Sequence, residues 1–465
     1  MLFFWRGDFV FSKIYNTELK IDYNQVDGFN RYPADIMAEY NQCIEEGLDI
    51  EEHKALFEAV AGMEYGEMKA RMSDMIFELV MKAKIRKDYA YNEPNELEEI
   101  RELRAPHSFE ATMPDDDMLR KKLLGAWTGR AVGCLLGKPL EGVRSDELIP
   151  LLKETGNYPM HRYVLSTDIT DEVKSHYKFY LENKAYADTV DGMPVDDDTN
   201  YVVLGQLIVD EFGREFKSEN VATAWLKYQS VYSYFTAERI AYINFLNCLV
   251  PPSSAIYKNV CREWIGAQIR GDYFGYINPG KPEKAAEMAF RDARISHVKN
   301  GIYGEMLASA MVSCAAVTDS IDDIILGGLA QIPSTSRLYE SVMKIYNDYK
   351  NGVTVDECFD YIHSAYDEHT DHGWCHTISN AMIVVAALLY GEGDFGKSIC
   401  IAVGMAFDTD CNGATVGSIL GMRGGIECID EYWKKPINGK IHTSIFGVSV
   451  VDIESAVDKT IEHIG

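Results

Sequence analysis

Two short segments of the sequence place carboxylates directly before an apolar helical pattern. The first, "GMPVDDDTNYVVLGQLIV", contains Asp196, Asp197 and Asp198, and the second, "FDTDCNGATVG", contains Asp408 and Asp410. If the segments converge, five carboxylates share a small volume, where like charges raise one another's pKa. Oxygen ligands at this density suit Mg²⁺, Mn²⁺ or Ca²⁺ rather than Zn²⁺. We predict a binuclear metal site, since five acidic ligands exceed what one Mg²⁺ usually takes from a protein.

The first acidic segment also has a purely structural interpretation. Asp and Thr are favoured at helix N-termini, where a side-chain oxygen accepts a hydrogen bond from a backbone N–H and the helix dipole favours negative charge. One cap needs only one oxygen, however, and three consecutive aspartates exceed that need. Capping or a solvated loop stays the alternative for this segment taken alone.

Helices with glycine at every fourth position adjoin these acidic residues. The segment "GAWTGRAVGCLLGKPLEG" carries glycine at positions 125, 129, 133 and 137, and the segment after Asp410 repeats the spacing at 413, 417 and 421. Each glycine inside a helix costs roughly 1 kcal/mol relative to alanine, so close helix packing must offset this cost. We expect the two helices to pack at short distance, against each other or against a third helix.

Composition excludes several functional classes. The chain has 465 residues, of which 47% are hydrophobic and 25% charged, as is typical of globular proteins. Its net charge of −27 argues against nucleic acid and anionic membrane surfaces as partners, since both require a basic face. The cysteines form no CxxC pair, and we find neither a run of 18 apolar residues nor the pattern of a signal peptide. We therefore expect a cytoplasmic protein.

Hydrophobic periodicity is helical along most of the chain. Segments such as "TNYVVLGQLIVDEFG", "GEMLASAMVSCAAV" and "SNAMIVVAALLYGEG" have helical apolar spacing, whereas strand-like alternation is scarce. The predicted fold class is all-α, with a short extended piece before a final helix near the C-terminus. Residues 1–113 differ in composition, and we interpret them as a mainly helical N-terminal extension of unknown role, followed by one domain at 114–465.

Three motifs, in this order, resemble those of the ADP-ribosylglycohydrolase superfamily, which includes the dinitrogenase-reductase-activating glycohydrolases. "GAWTGRAVGCLLGKPLEG" is similar to the family's glycine-rich helix, which ends in a Pro-x-Glu turn. "VDDDTNYVVLGQ" is similar to its Thr-Asp-Asp-Thr helix start, and "AFDTDCNGATVGSILGM" to its Gly-Asp-Thr-Asp-Thr-Asn-Ala block. The resemblance covers about residues 118–462 and implies a compact all-α domain with two Mg²⁺ or Mn²⁺ ions in a cleft.

The resemblance also implies roles for individual residues. The implied metal ligands are Asp196, Asp197, Asp198, Asp408 and Asp410, with Cys411 in doubt. Glu141, in the Pro-x-Glu turn, is the implied acid/base, and Asp197 and Asp408 join it as candidate catalytic residues. This set matches the chemistry, because two cations can grip the cis-diol of a ribose and a bound metal lowers the pKa of water.

The sequence departs from the family pattern at the site itself. Asp196 stands where relatives usually have Thr, and it still offers an oxygen ligand. Cys411 also stands in place of Thr, and a thiol is a poor ligand for a hard cation. Many relatives have Asp at the position of Cys134. Because these changes cluster at the site, we expect them to affect substrate preference.

Candidate substrate-binding residues lie in the middle of the chain and beside the second acidic segment. Tyr273, Phe274 and Tyr276 stand in "RGDYFGY", an aromatic segment that could cradle an adenine or a phosphate, with loop packing as the equal alternative. His297 and Asn412 are the polar candidates. For a lone histidine near a helix end, a structural role is the commoner interpretation.

The resulting hypothesis is a hydrolase that cleaves an N- or O-glycosidic bond to ADP-ribose or a related ribosyl group. The substrate is an ADP-ribosylated protein or a small ribosylated molecule. One alternative is a hydrolase of a different ribosylated metabolite or nucleoside. The other is a non-catalytic ADP-ribose-binding scaffold of the same fold. The sequence leaves open the leaving group, the metal used in the cell and the oligomeric state.

Overall fold

The computed structural model describes residues 31–465, which divide into two compact units. The first unit extends to Tyr89, and the second runs from Ala90 to Gly465. This division falls before the boundary predicted near residue 113. The segment 90–113 packs within the larger unit, where Ile100 is fully buried and the Arg104 Nε donates to the Gln331 carbonyl oxygen at 3.0 Å.

Three helices form most of the described part of the first unit. They are α1 (Ile36–Glu45), α2 (Lys54–Ala61) and α3 (Glu67–Lys82), with a 3₁₀ turn at Glu51–His53. Apolar residues recur at helical spacing in each, so side chains such as Ile36, Phe57 and Ile76 are fully buried while most charged residues are not. The Tyr40 and Phe57 rings meet edge to face at 5.2 Å and join α1 to α2.

Helices also dominate the second unit. The first ten are α4 (Leu97–Glu102), α5 (Asp116–Gly137), α6 (Ser145–Glu154), α7 (Asp171–His176), α8 (Asp197–Phe212), α9 (Ser218–Tyr228), α10 (Thr236–Leu246), α11 (Ser253–Ile256), α12 (Asp272–Tyr276) and α13 (Pro282–Ala293). The next ten are α14 (Asn300–Ala315), α15 (Ile321–Leu329), α16 (Arg337–Lys350), α17 (Val355–Ala365), α18 (Asp371–Cys375), α19 (Thr377–Tyr390), α20 (Phe395–Gly404), α21 (Thr409–Gly424), α22 (Glu431–Lys434) and α23 (Ile453–His463). Short 3₁₀ turns lie at Lys138–Leu140, Ser166–Asp168, Val231–Ser233, Gln268–Arg270 and Ile426–Cys428.

A β-hairpin precedes the last helix, where the sequence predicts a short extended piece. Its strands are β1 (Lys440–Ile445) and β2 (Val448–Asp452). They pair antiparallel, with Lys440 opposite Asp452 and a bulge after His442. The backbone N–H of Met193 donates to the Lys440 carbonyl oxygen at 2.8 Å. The hairpin thus anchors the segment that leads into α8.

The core of the larger unit contains two helices that are buried on every side. Every residue of α14 is buried, and so is every residue of α19 before Tyr390. A helix that is apolar all round must lie inside the protein, with others covering it. The prediction of an all-α fold is confirmed.

Within residues 31–465, no helix combines the length and the apolar character needed to cross a membrane.

The glycine-spaced helices α5 and α21 pack directly against each other, which is one of the two arrangements expected from the sequence. They run antiparallel, and the facing pairs are Gly125 with Gly421, Gly129 with Gly417, and Gly133 with Gly413. A Cβ on any of these glycines would overlap the backbone carbonyl of its partner. The backbones therefore touch, and the contact explains why α5 tolerates four glycines despite their low helix propensity.

Candidate metal site and cleft

The first acidic segment forms the N-terminus of α8, and one of its three aspartates is the helix cap. The Asp196 carboxylate accepts a hydrogen bond from the backbone N–H of Asp198 at 2.9 Å. Asp197 and Asp198 occupy the first helical turn. Capping therefore accounts for Asp196 alone, and the other two carboxylates need a different explanation.

The second acidic segment follows two residues in a strained backbone conformation. Ala406 and Phe407 have φ angles of 62° and 58°, in the left-handed region that residues other than glycine rarely adopt. Such residues cost about 1–3 kcal/mol each and persist only where the surroundings fix them. Phe407 is fully buried, and its ring packs 4.8 Å from that of His363. Asp408 directly follows this strained turn, and its backbone N–H donates to the Asn380 Oδ1 at 3.2 Å.

The two acidic helix starts meet in space, although they lie far apart in the sequence. A carboxylate oxygen of Asp198, one of Asp410 and the Cys411 Sγ all lie within 4.8 Å of one another. Glu141, Asp408 and Asp410 form a second group within the same limit. Because Asp410 belongs to both groups, the donor atoms form one continuous cluster, which we call the acidic cluster.

The acidic cluster opens into a cleft of about 400 Å³, a volume that suits a small ligand. The carboxylate residues that line it are Glu141, Asp196, Asp197, Glu238, Asp408 and Asp410. The aromatic residues that line it are Tyr232, Phe235 and Trp374. The cleft therefore combines one acidic wall with aromatic surfaces contributed by other segments.

Glu141 reaches the acidic cluster from the turn after α5. The helix ends at Gly137, a 3₁₀ turn follows, and Glu141 lies exposed at the rim of the cleft. A Cβ on Gly137 would overlap the backbone of Thr409, whose hydroxyl donates to the Gly137 carbonyl oxygen at 2.9 Å. The packing of α5 on α21 therefore sets the position of Glu141 relative to Asp408.

Behind the acidic cluster, one buried guanidinium holds Asp198. Arg130 of α5 donates through Nη2 to the Asp198 Oδ1 at 3.1 Å and through Nη1 to the Asp272 Oδ2 at 2.7 Å. Its Nε donates to the Asp198 carbonyl oxygen at 2.9 Å. Burial lowers the pKa of Arg130, but the charges of Asp272 and Asp198 outweigh burial and raise it above the ordinary value. The side chain stays charged and ties α8 to α5.

Lys138 places an ammonium group at the edge of the acidic cluster. Its Nζ donates to the Asp196 Oδ2 at 2.5 Å. Burial lowers the pKa of Lys138, but the charge of Asp196 and its neighbours outweighs burial and raises it. The ammonium group therefore stays charged and offsets part of the negative charge of the cluster.

Crowding raises the pKa values of the clustered carboxyl groups. Burial, followed by the charges of Asp196 and Asp410, raises the pKa of Asp197. Burial, followed by the charges of Asp410 and Glu141, raises that of Asp408. For Glu141, the charge of Asp410 is the first cause of a raised pKa, and the charges of Asp196 and Asp197 add to it. This mutual repulsion is the electrostatic strain that a bound cation relieves.

The five residues predicted to bind substrate do not line the cleft. They are Tyr273, Phe274, Tyr276, His297 and Asn412, and all are buried in the helix packing. The Tyr276 hydroxyl, for example, pairs with the Ser418 Oγ at 2.7 Å, and the Asn412 Nδ2 donates to the Asn380 Oδ1 at 2.8 Å. These contacts are those of a core, and substrate binding by the five residues stays a prediction.

Several residues of the site were not singled out from the sequence. Arg130 and Lys138 stand in "TGRAVG" and "GKPLEG", where a charged residue amid apolar neighbours was the available signal. Tyr232, Phe235 and Trp374 come from segments without a motif. They form a common wall only because distant parts of the chain meet, which periodicity and spacing do not reveal.

The donor set fits a divalent cation. Asp198 is 1% exposed, and its Oδ2 accepts no hydrogen bond from any residue between 31 and 465. A buried carboxylate oxygen without a partner carries a free-energy cost that a cation would remove. The neighbouring oxygens of Asp196, Asp408 and Asp410 are ligands of the kind that Mg²⁺ and Mn²⁺ prefer.

The chain is similar to known proteins in sequence and in fold. The sequence model of a family described as ADP-ribosylglycohydrolase matches residues 115–463. A solved structure entitled "ADP-ribosylglycohydrolase-related protein complex" is similar at 13% identity, over 75% of this chain and 100% of that chain, with a TM-score of 0.42. No protein with curated function matches the sequence.

Proposed function

Since the chain belongs to the ADP-ribosylglycohydrolase family, we propose that it is a divalent-metal-dependent hydrolase of a glycosidic bond to ADP-ribose or a related ribosyl group. Family membership supports a glycohydrolase-like enzyme. The acidic cluster supports dependence on metal, because Asp198 and Asp410 come from distant segments and yet bring their oxygens within 4.8 Å. This convergence is the observation that carries the proposal.

Two divalent cations, Mg²⁺ or Mn²⁺, are the proposed cofactors. The residues that would hold them are Asp196, Asp197, Asp198, Asp408 and Asp410. When bound, such cations supply a grip on the cis-diol of the ribose and electrostatic stabilisation of the reacting groups. Arg130 keeps Asp198 in place from behind, through its hydrogen bonds at 3.1 Å and 2.9 Å.

Glu141 is the proposed general base. It lies exposed at the rim of the cleft, beside Asp408 and Asp410, where a water molecule can approach both its carboxylate and a bound sugar. A general base must lie within hydrogen-bonding reach of the water that it deprotonates, and the position of Glu141 at the rim meets this requirement. Glu141 would take the proton of the attacking water as the glycosidic bond breaks.

Asp197 and Asp408 are proposed to stabilise positive charge on the sugar. Cleavage of a glycosidic bond passes through an oxocarbenium-like transition state, which fixed carboxylates favour electrostatically. Both residues line the cleft, Asp197 in the first turn of α8 and Asp408 directly before α21. Their effect is greatest where water is excluded from the cleft.

The aromatic residues of the cleft are proposed to hold the flat or apolar part of the substrate. Trp374 is fixed from outside by Arg144, whose guanidinium carbon lies 4.6 Å from the centre of the indole ring. Tyr232 and Phe235 line the cleft and are 70% and 50% exposed, so a ligand in the cleft can reach both rings. This wall would orient the substrate so that its ribose faces the acidic cluster.

The decisive experiment is the double variant Asp408→Ala/Asp410→Ala. We expect it to lose Mn²⁺ binding in isothermal titration and hydrolysis of both ADP-ribosylated protein and small ADP-ribosyl conjugates. A matched control is Asp322→Ala/Asp323→Ala, which removes the same charge from the first turn of α15. The control should bind Mn²⁺ and turn over substrate like the unaltered protein.

The outcome also separates the proposed enzyme from its alternatives. Full activity in the Asp408→Ala/Asp410→Ala protein would refute the mechanism. Thermal stabilisation by Mn²⁺ and ADP-ribose without hydrolysis of any conjugate would identify a binding scaffold. Turnover of nucleosides or small ribosylated metabolites alone would place the substrate outside ADP-ribose.

A further inference from the structure

Two thiols lie among the oxygens of the acidic cluster. The Cys411 Sγ lies within 4.8 Å of carboxylate oxygens of Asp198 and Asp410. The Cys134 Sγ lies within the same distance of carboxylate oxygens of Asp196 and Asp198. Asp198 is common to both groups, so its carboxylate lies near two sulfur atoms. Cys411 also lines the cleft, which opens this part of the cluster to ions from solution.

The buried oxygen of Asp198 points independently to a ligand at this position. Arg130 satisfies the Asp198 Oδ1, but the Oδ2 accepts no hydrogen bond from the described part of the chain, and the residue is 1% exposed. Ordinary packing does not account for such an atom, because an unpartnered buried carboxylate oxygen is costly. A cation at this position would bind it.

The spacing of the donor atoms suits one ion. Zinc–sulfur bonds are about 2.3 Å and zinc–oxygen bonds about 2.0–2.2 Å, so two ligands of one ion lie no more than about 4.5 Å apart. The donor atoms of each cysteine-containing group lie within 4.8 Å of one another, a range that includes this spacing. Sulfur favours borderline-soft cations such as Zn²⁺ and Co²⁺ and disfavours Mg²⁺.

We infer that the cation position beside Asp198 takes a thiophilic divalent ion, with Cys411 as a ligand and Cys134 as a second sulfur donor. The position bounded by Glu141, Asp408 and Asp410 has only oxygen donors and keeps the hard ion. Binding exchanges the thiol S–H bond for a sulfur–metal bond, and the proton passes to solvent. This inference rests on the proposed function, because it assigns different ions to the two positions of the same site.

Cobalt substitution tests the inference without measuring activity. Co²⁺ added to the metal-free, reduced protein should produce a sulfur-to-cobalt charge-transfer band in the near ultraviolet. The band should weaken in Cys411→Thr, which restores the family's hydroxyl, and it should disappear in Cys411→Thr with Cys134→Ser. The ratio of Zn²⁺ to Mg²⁺ affinity, measured by titration, should fall by about tenfold or more in Cys411→Thr, since loss of even an outer contact usually costs 10–100-fold.

Two further variants keep the test interpretable. Cys411→Ser serves if Cys411→Thr does not fold, as judged by circular dichroism. Cys375→Ser is the matched control, because Cys375 is a buried thiol that lines the same cleft but belongs to neither sulfur-containing group. The charge-transfer band should persist in this control.

The possible results separate this inference from the proposed function. Co²⁺ binding without a charge-transfer band, or a band that survives in Cys411→Thr with Cys134→Ser, would overturn the sulfur ligands while leaving a metal-dependent hydrolase intact. Failure of Mg²⁺, Mn²⁺, Zn²⁺ and Co²⁺ alike to bind would overturn both.

Discussion

A buried guanidinium shows how individual residues hold the site in place. Arg130 lies on α5, the helix that leads to Glu141, and it grips Asp198 at the start of α8. It also pairs with Asp272 on α12, so three helices meet at one side chain. Removing one partner of a buried ion pair leaves the other charges uncompensated, which is far costlier than losing a surface pair.

We expect Arg130→Met to destabilise the protein strongly. The free energy of unfolding should fall by about 3–5 kcal/mol, because Asp198 and Asp272 would stay buried without a cation. Arg120→Met, on the exposed part of the same helix, removes surface pairs with Glu454 and Asp458 and should cost no more than about 1 kcal/mol for each pair. Urea denaturation measures both values, and equal losses would contradict the structural role given to Arg130.

Glu141→Gln should separate chemistry from metal binding. As the proposed base, Glu141 should contribute about 10²–10⁴-fold to kcat. Affinity for Mn²⁺ should stay far above that of the Asp408→Ala/Asp410→Ala protein, since the aspartates are the proposed ligands. Glu147→Gln on α6, where the carboxylate only accepts bonds from the backbone at 178 and 179, is the control. Undiminished activity of the Glu141→Gln enzyme would show that another group accepts the proton and that Glu141 is not the base.

Site residues whose neighbouring sequence has a recognisable pattern were easier to predict than residues chosen without such a pattern. The aspartates of the acidic cluster could be predicted because three consecutive carboxylates are more than a helix cap needs. The structure brings the two acidic segments together. Tyr273 and His297 were chosen for chemical type alone, and type does not tell which side of a helix faces a cleft. The structure buries both in the core.

At the scale of secondary structure, the glycine pattern predicted close helix packing but left open whether the two helices contact each other or a third. Glycine at every fourth position gives each of the two helices one face without Cβ atoms, and α5 and α21 pack along these faces. The strained turn before Asp408 had no such signal, because Ala406 and Phe407 are ordinary residues that tertiary packing forces into the left-handed region. Residue propensity and hydrophobic periodicity predict helices and strands, whereas the conformation of this turn depends on the tertiary packing around it.

Gly133→Ala tests the helix contact directly. The new methyl group would meet the backbone of Gly413, so we expect a loss of about 1–3 kcal/mol or more in unfolding free energy and weaker Mn²⁺ binding. Gly404→Ala in α20 is the matched control, since its Cβ would lie 3.8 Å from Met160 without overlap. The control should be neutral or slightly stabilising, because alanine favours helix. Thermal unfolding and titration provide the two readouts, and a harmless Gly133→Ala would refute close contact.

At the scale of the whole molecule, crowded carboxyl groups link stability to pH and metal. Burial and neighbouring charges raise the pKa of Asp197, Asp408 and Glu141 above their unfolded values. Between the unfolded and the folded pKa, the folded state holds more protons, so the unfolding free energy falls as pH rises. Bound cations oppose this loss, because they bind the ionised form.

Thermal unfolding of the protein at several pH values tests this linkage. The rise in melting temperature caused by Mn²⁺, relative to protein in chelator, should be larger at about pH 8 than at about pH 5, near the ordinary pKa of carboxyl groups. The Asp408→Ala/Asp410→Ala protein should show a smaller pH dependence in chelator. If Mn²⁺ raised the melting temperature by the same amount at every pH in this range, the linkage would be contradicted.

Limited proteolysis tests how the chain divides. The segment 90–113 contributes the buried Ile100 and a backbone bond from Ser334 to Leu103 at 2.9 Å. We therefore expect protease to cut near the division at Tyr89 and to leave a large fragment that still contains residues 97–113. Mass spectrometry of the fragments provides the readout. A stable fragment that starts near residue 113 would instead support the boundary predicted from composition.

The direct backbone contact of α5 with α21 has a kinetic consequence. Because no side chains lie between the facing glycines, we expect the oxygens of the acidic cluster to be held in position before an ion binds. The rate of ion capture should then depend on how fast the ion sheds its hydration water. Mg²⁺, which dehydrates reluctantly, should enter slowly and in a single phase.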